Sequence, residues 1–281
     1  MTEITDNPLV SIITPVLNGI KYLEPCLQSV LSQSYPRIEH IFVDGCSTDG
    51  TLEMLKSYAA RYPDRIRFIS ERDSAVGEAW NKGVKLAKGE ILGWLGSDDM
   101  SEPGAVQAVI EFFVTHPGAY FVFGDCNIIN EKGELLRKYP TKDFNLEELL
   151  NNSCMVPTPS SFYRREVIEE IGYYNTNGND YEFLIRAAEV FLIYRIKKVL
   201  SNFRIRKDSQ TGAKKTLKMW LREDYLASRQ HGGSILSGYA FRYFGFSIIE
   251  GLRPVLGRLY PFIYNCLVSP IMRLLRKLAR P

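Results

Sequence analysis

The sequence predicts an α/β domain, a doubly wound and mainly parallel sheet with helices on both faces, followed by a C-terminal helical extension. Three observations predict it. Short β-branched apolar runs alternate four times with segments of helical period over the first hundred residues, as in a parallel sheet covered on both sides. Each run ends in turn residues such as Asn-Gly, Asp-Gly or Gly-Ser-Asp-Asp. The 281 residues are 45% hydrophobic and 24% charged, ordinary values for a globular chain that exclude a disordered, collagen-like or coiled-coil protein.

The elements follow in order. LVSIITPV (9–16) is a buried strand stopped by Asn18-Gly19, and Leu23, Leu27, Val30 and Leu31 then recur at helical spacing until Tyr35-Pro36. Ile38 to Val43 forms a second strand. Ser47-Thr48-Asp49 opens a helix with Leu52, Leu55 and Tyr58 on one face. Ile66 to Ser70 is the third strand, a helix occupies about 76–88, and Glu90 to Leu95 is the fourth strand. Two apolar runs within 119–139, split by Asn130-Glu131-Lys132-Gly133, read as a hairpin.

Charge and cysteine content narrow the function classes. With 35 Lys+Arg against 32 Asp+Glu the net charge is +3, which offers no argument for nucleic-acid binding. Cys26, Cys46, Cys126, Cys154 and Cys266 never occur as C-x-x-C and read as reduced thiols. MTEITDNP has neither a basic start nor an apolar stretch, so no signal peptide is expected and the protein is placed in the cytoplasm. His40, His116 and His231 lack ligand spacing and receive no role.

Ligands of parallel α/β sheets bind beyond the carboxyl ends of the strands. Those ends carry Asn18, Asp44, Glu71-Arg72-Asp73 and Asp98-Asp99. Asp and Asn also favour turns for their own sake, but acids at several ends of one edge point to a ligand. G-x-G-x-x-G and the P-loop pattern are both absent. A phosphate-bearing ligand would then need a cation, and adjacent Asp98 and Asp99 offer hard oxygen donors for Mg²⁺ or Mn²⁺.

VSIITPVLNG, VDGCSTDGT and SERDSAVGEAWNKGVKLAKGEILGWLGSDD, in this order and spacing, resemble the family 2 glycosyltransferases of the GT-A fold, over about residues 9–210. The resemblance implies a GT-A catalytic domain over 1–212, with the nucleotide-sugar half at about 1–100 and the acceptor half at about 101–212. Residues 213–281 are then the helical extension. It places Pro15, Leu17 and Asp44 at the nucleoside, with Asp73 nearby, Asp98 at ribose and metal–diphosphate, and Asp99 at the metal. Leu17 stands where the family has an aromatic residue, and the family's D-x-G reads Asp73-Ser74-Ala75. The donor implied is a nucleoside diphosphate sugar, with UDP- or dTDP-sugars favoured, and the acceptor is a saccharide or lipid-linked saccharide of a bacterial surface polysaccharide.

In the second half, PTPSSFYRREVIEEIGYY resembles the family segment leading to the acceptor side, and Asp180 in NTNGNDYEFLIRAAE matches its catalytic base. An acceptor hydroxyl needs such a base to become a nucleophile. An Asp before an apolar helix is also a favoured N-cap, and both roles stay open. Arg204, Arg206 and Lys207 in FRIRKDSQTG either close over the diphosphate or form a solvated basic loop. Two functions remain: an inverting, metal-dependent transferase, or a nucleotide-sugar-binding protein without catalysis.

Residues 239–281 hold seven basic residues against one acid, among many aromatic and aliphatic ones. Phe241, Phe244, Ile248 and Leu252, then Ile271, Leu274, Leu275 and Leu278, repeat at helical spacing, with Pro254, Pro261 and Pro270 expected to divide the tail into short pieces. Basic faces opposite apolar faces fit helices lying on a membrane surface, here the inner face of the cell membrane. Docking on the catalytic domain or a homo-oligomer interface is the alternative.

Overall fold

The structure, a computed structural model, describes residues 7–152, 154, 156–175, 179–206 and 214–256. The chain divides into two compact units, Met1–Asp143 with Met155–Lys207, and Phe144–Cys154 with Asp208–Pro281.

The first unit opens with β1 (Val10–Val16), α1 (Ile20–Leu31), β2 (Ile38–Asp44), α2 (Thr51–Arg61), β3 (Ile66–Ser70), α3 (Val76–Leu86) and β4 (Ile91–Trp94). These match the expected elements to within a few residues. β5 (Met100–Ser101), α4 (Ala105–Thr115) and the hairpin β6 (Phe121–Ile129) and β7 (Leu135–Lys138) follow. After α5 (Leu146–Asn151), which belongs to the second unit, come a 3₁₀ turn (Thr158–Ser160), β8 (Ser161–Arg164), α6 (Arg165–Ile171), α7 (Asp180–Val190) and β9 (Ile193–Arg204).

Among the described residues these strands form one nine-stranded sheet in the order β3-β2-β1-β4-β8-β6-β9-β5, with β7 on β6. Among themselves β1 to β4 pair in parallel. β1, β2 and β4 are buried on both faces, as inner parallel strands require, with every residue of β2 buried, while the edge strand β3 is half-buried. The mixed pairing lies beyond β4, where β8 is antiparallel to both β4 and β6 while β9 is parallel to β6. The β6–β9 register shifts on either side of Asp125. β9 thus carries more residues than β6 there, as in a bulge, and only the bare Cα of Gly124 lets Leu200 close over it.

Helices cover both faces. Val10, Ile12 and Ile91 pack with Cys26 and Val30 of α1 and with Val106, Val109 and Phe113 of α4. Val16, Leu23, Leu27, Phe42, Leu55 and Ile66 continue that layer under α1 and α2. α3 lies on the opposite face, where Gly83 touches Ile13 and Val43. His40 is a core residue: it shares a 2.9 Å hydrogen bond with Thr14 Oγ1, and burial pushes it down to about 3, so it stays neutral. Cys26, Cys46, Cys126 and Cys154 are free thiols, and Cys266 lies outside the described residues.

The second unit comprises α5, α8 (Lys214–Gln230) and α9 (Gly238–Leu256). α5 is only six residues long, so most of its carbonyls lack helical partners. Ser228 Oγ donates to Leu150 O at 2.6 Å and Tyr239 OH to Leu149 O at 3.1 Å, which completes the short helix. Pro254 does not break the helix: α9 runs through it to Leu256, where the described residues stop, with the proline removing one N–H donor. Pro261, Pro270 and the Ile271–Leu278 face lie outside the described residues. No helix among the described residues is long and apolar enough to cross a membrane.

Candidate active site

The loops after β1 and β2 are tied to each other. Asn18 adopts a left-handed backbone (φ 50°), which short polar side chains tolerate. Its N–H donates to Ser47 Oγ at 2.7 Å, and its side-chain oxygen accepts from Thr48 N–H at 2.9 Å. Asp49 accepts from Ile20 N–H (3.1 Å) and from Thr51 N–H (3.1 Å) and hydroxyl (2.6 Å). One carboxylate therefore serves the first residues of both α1 and α2, where helix dipoles favour negative charge. Despite burial, these bonds hold its carboxyl below the usual range. Much of the Asp-Gly-x-Ser-Thr-Asp-Gly-Thr pattern is thus scaffolding for this sheet edge, and α2 starts at Thr51 after Gly50 instead of at Ser47.

Asp44, at the end of β2, is fully buried and accepts from Ser70 Oγ at 2.6 Å and from Ser47 N–H at 3.2 Å. Pro15 lies beside Val43 in the β1–β2 register, and Leu17 stands 63% exposed above that edge. Gly45 sits between them and Asp73: a Cβ built there would lie 3.4 Å from Leu17 Cδ1 and 3.7 Å from Asp73 Oδ2. Pro15, Leu17, Asp44 and Asp73 therefore line one stretch of the edge. Lys82 Nζ holds Asp73 at 2.8 Å, Glu78 at 3.3 Å and Glu71 at 3.4 Å. Those contacts, Asp73 first, raise the lysine above its ordinary value.

The acid pair follows β4. Asp99 is buried, and its Oδ1 accepts from Arg204 N–H at 2.9 Å. Burial, then the charge of Asp98, pushes its carboxyl up to about 8. Asp98 Oδ2 pairs with Arg206 Nε at 2.7 Å, and its backbone carbonyl accepts from Arg204 Nε at 2.7 Å. Both guanidinium groups lie over the Tyr22 ring, at 4.9 and 5.5 Å. The structure therefore pairs Asp98 with Arg206 and Asp99 with Arg204, two of the basic residues the sequence singled out, and it adds Tyr22. Lys207 lies outside the described residues. No cluster of three or more metal-ligating side chains occurs among the described residues. Two hard carboxylates beside an open edge fit a divalent ion that takes its other ligands from phosphate and water.

A family model for glycosyl transferase family 2 matches residues 11–172. The chain belongs to that family. It is 31% identical over 210 residues to chondroitin synthase of Escherichia coli, covering 74% of this chain and 30% of that one. It is 37% identical over 133 residues to the putative teichuronic acid biosynthesis glycosyltransferase TuaG of Bacillus subtilis, covering 47% of this chain and 52% of that one. The chain spans about a third of the length of the first of these relatives. Among solved structures it resembles S. aureus TarS 1–349 in complex with UDP-GlcNAc (TM-score 0.63, 20% identity, 87% of this chain and 75% of that one). It also resembles the mannosyltransferase PcManGT of Pyrobaculum calidifontis in complex with GDP-Man and Mn²⁺ (TM-score 0.67, 16% identity, 97% and 83%). The fold is of the GT-A type.

For a family 2 chain, the position of Asp180 is informative. It is the first residue of α7, and the capping is done by Asn179, whose side chain accepts from Tyr181 N–H (3.0 Å) and Glu182 N–H (3.2 Å). The N-cap reading of Asp180 is thereby replaced. Its carboxylate accepts from the Thr158 hydroxyl instead, and burial raises its proton affinity. Thr158 belongs to the 3₁₀ turn that packs on β4, the strand that ends in the acid pair. The motifs do not single out Thr158, and they name Arg204 without its bond to Asp99. Thr-Pro before a strand was the one visible signal for Thr158, and the Arg204 bond depends on a pairing 105 residues apart. Trp80 and Trp94 are packing residues, within an aromatic group that includes Tyr174 and Phe183.

Proposed function

We propose that the chain is an inverting glycosyltransferase that moves a sugar from a nucleoside diphosphate donor to an acceptor hydroxyl. The observation that carries this is Asp180: a half-buried carboxylate of raised proton affinity, released from capping by Asn179 and aimed by Thr158. The acceptor oxygen attacks the anomeric carbon while Asp180 takes its proton, and the bond from sugar to diphosphate breaks with the electron pair leaving on phosphate. A single displacement inverts the centre. Asp99, with Asp98 beside it, would hold Mn²⁺ or Mg²⁺, which would supply Lewis-acid stabilisation of the leaving diphosphate. Arg206 exchanges its bond to Asp98 for the diphosphate, and Pro15, Leu17, Asp44 and Asp73 line the nucleoside edge. UDP- or dTDP-sugars are the favoured donors, and the product feeds a surface polysaccharide.

A thermal-shift screen of nucleotide sugars with Mn²⁺ tests the reading, because a ligand that binds only the native state raises Tm. The expected result is a metal-dependent rise with a nucleotide sugar, together with nucleotide release when a saccharide acceptor is added. Binding without release for every acceptor favours the non-catalytic alternative, and no rise with any donor removes both.

We further assign the C-terminal unit to the inner face of the membrane in this otherwise cytoplasmic protein. Phe241, Phe244 and Ile248 are 61%, 48% and 63% exposed along one face of α9, in a tail rich in cations. Arg242 does not share in that role: it turns inward to Asn152 O and lies over the Tyr239 ring. Full-length protein should pellet with anionic vesicles in a salt-sensitive manner while a chain ending at Ser237 does not. Equal pelleting of the two overturns the assignment and leaves an oligomer interface.

A further inference from the structure

Three consecutive residues of α3, Asn81-Lys82-Gly83, face three different parts of the site. Successive helical residues point about 100° apart, so adjacent side chains reach different partners. Gly83 presses α3 onto Ile13 and Val43 of the sheet. Lys82 holds the loop after β3, through Asp73 Oδ1 at 2.8 Å and the Arg72 carbonyl at 3.0 Å. Asn81 grips the far side of the site: its Nδ2 donates to Tyr174 O at 2.8 Å, and its Oδ1 accepts from Tyr174 N–H at 3.0 Å. Both backbone groups of one residue are thus held by one amide, 93 positions away in sequence.

Tyr174 is buried, and its ring lies flat on Phe183 at 3.8 Å with an interplanar angle of 12°. Phe183 stands on α7 three residues after Asp180, on the same side of the helix. The Tyr174 ring also meets Trp80 of α3 at 4.8 Å and Trp94 of β4 at 5.1 Å, both edge-on. A second tie comes from α7 itself, where Arg186 donates to Tyr173 O at 2.9 Å. The path from the donor loop to the base is therefore one continuous set of contacts: Asp73, Lys82, Asn81, Tyr174, Phe183 and α7.

We propose that Asn81 is a positioning residue that couples the nucleotide loop to the base, so that a filled donor edge and a correctly placed Asp180 are one state of the protein. This rests on the donor and base assignments above. Asn81 touches neither of those groups itself, and its effect passes through Tyr174.

Amide hydrogen exchange of the full chain, with UDP and Mn²⁺ as the probe, tests it. In wild type, the probe is expected to slow exchange both in peptides covering 68–86 and in peptides covering 179–190. In Asn81→Ala the first response stays and the second is lost. With an active donor, kcat falls about 10- to 100-fold at a donor KM within about twofold, the mark of misplacement without lost binding. Should Asn81→Ala fail to fold, Asn81→Asp keeps the oxygen for Tyr174 N–H, loses only the bond to Tyr174 O, and is expected to show a weaker version of the same split. Protection of 68–86 alone in wild type, or an unchanged double response in the variant, overturns the coupling. Absence of any protection by UDP or GDP with Mn²⁺ overturns the nucleotide reading instead.

Discussion

Asp180→Asn is expected to lower kcat by about 10²- to 10⁴-fold, the span over which a positioned general base contributes. Asn is nearly isosteric and keeps an oxygen for the Thr158 hydroxyl, while Asn179 continues to cap α7. The fold and the nucleotide Kd should therefore stay close to wild type, and steady-state rates beside a binding titration separate the two. A loss of less than tenfold would show that Asp180 is not the base. Thr158→Val gives the same assignment a pH signature. The Thr158 hydroxyl bonds the ionised carboxylate and pulls its pKa down against burial. Removing it raises that pKa, and since the base works deprotonated, the acid limb of kcat/KM moves to higher pH. A limb that stays in place or moves the other way contradicts the role.

Asp99→Asn is expected to abolish the Mn²⁺-dependent thermal shift and to reduce kcat by at least about 10²-fold, since metal stabilisation of a leaving group amounts to several kcal/mol. The variant retains an oxygen to accept from Arg204 N–H, so Tm without metal should change little. Calorimetry with Mn²⁺ and nucleotide reads the first effect and a melting curve the second. Full metal-dependent binding by the variant would move the metal elsewhere.

The first half of the fold was legible because its strands are short, apolar, largely buried and separated by helices of clear period. Ile38–Asp44 is buried at every position and reads as a strand without any partner in view. Beyond β4 the signal weakens for a physical reason. β9, IYRIKKVLSNFR, has Lys and Arg among its apolar residues and is half-buried along much of its length. Its pairing with β6 is parallel and bulged, which no local period encodes. The acids of the site were visible because each sits at a strand end. The pairings were not: Arg204 was named but its bond to Asp99 spans 105 residues, and Thr158 to Asp180 and Asn81 to Tyr174 span 22 and 93. Asp180 was found by motif, but only the neighbouring Asn179 amide shows which of two adjacent side chains caps α7. Pro254 misled because a proline removes one N–H donor from a helix without having to end it.

The bond from Arg204 N–H to Asp99 has a consequence for how the molecule is made. Synthesis runs from the N-terminus, and β1 to β4 with their helices pair within the first hundred residues, β1 with β4 across 81. Closing β9 onto β6, and with it Arg204 onto Asp99, spans 105 residues, so its loop entropy has to be met before the contact returns anything. A nascent chain that has released Asp99 but not Arg204 carries two neighbouring carboxylates with no guanidinium beside them. On the proposed reading the donor site therefore matures late, when the last strand arrives, so that affinity for a nucleotide sugar would report a finished molecule and not merely a folded first half.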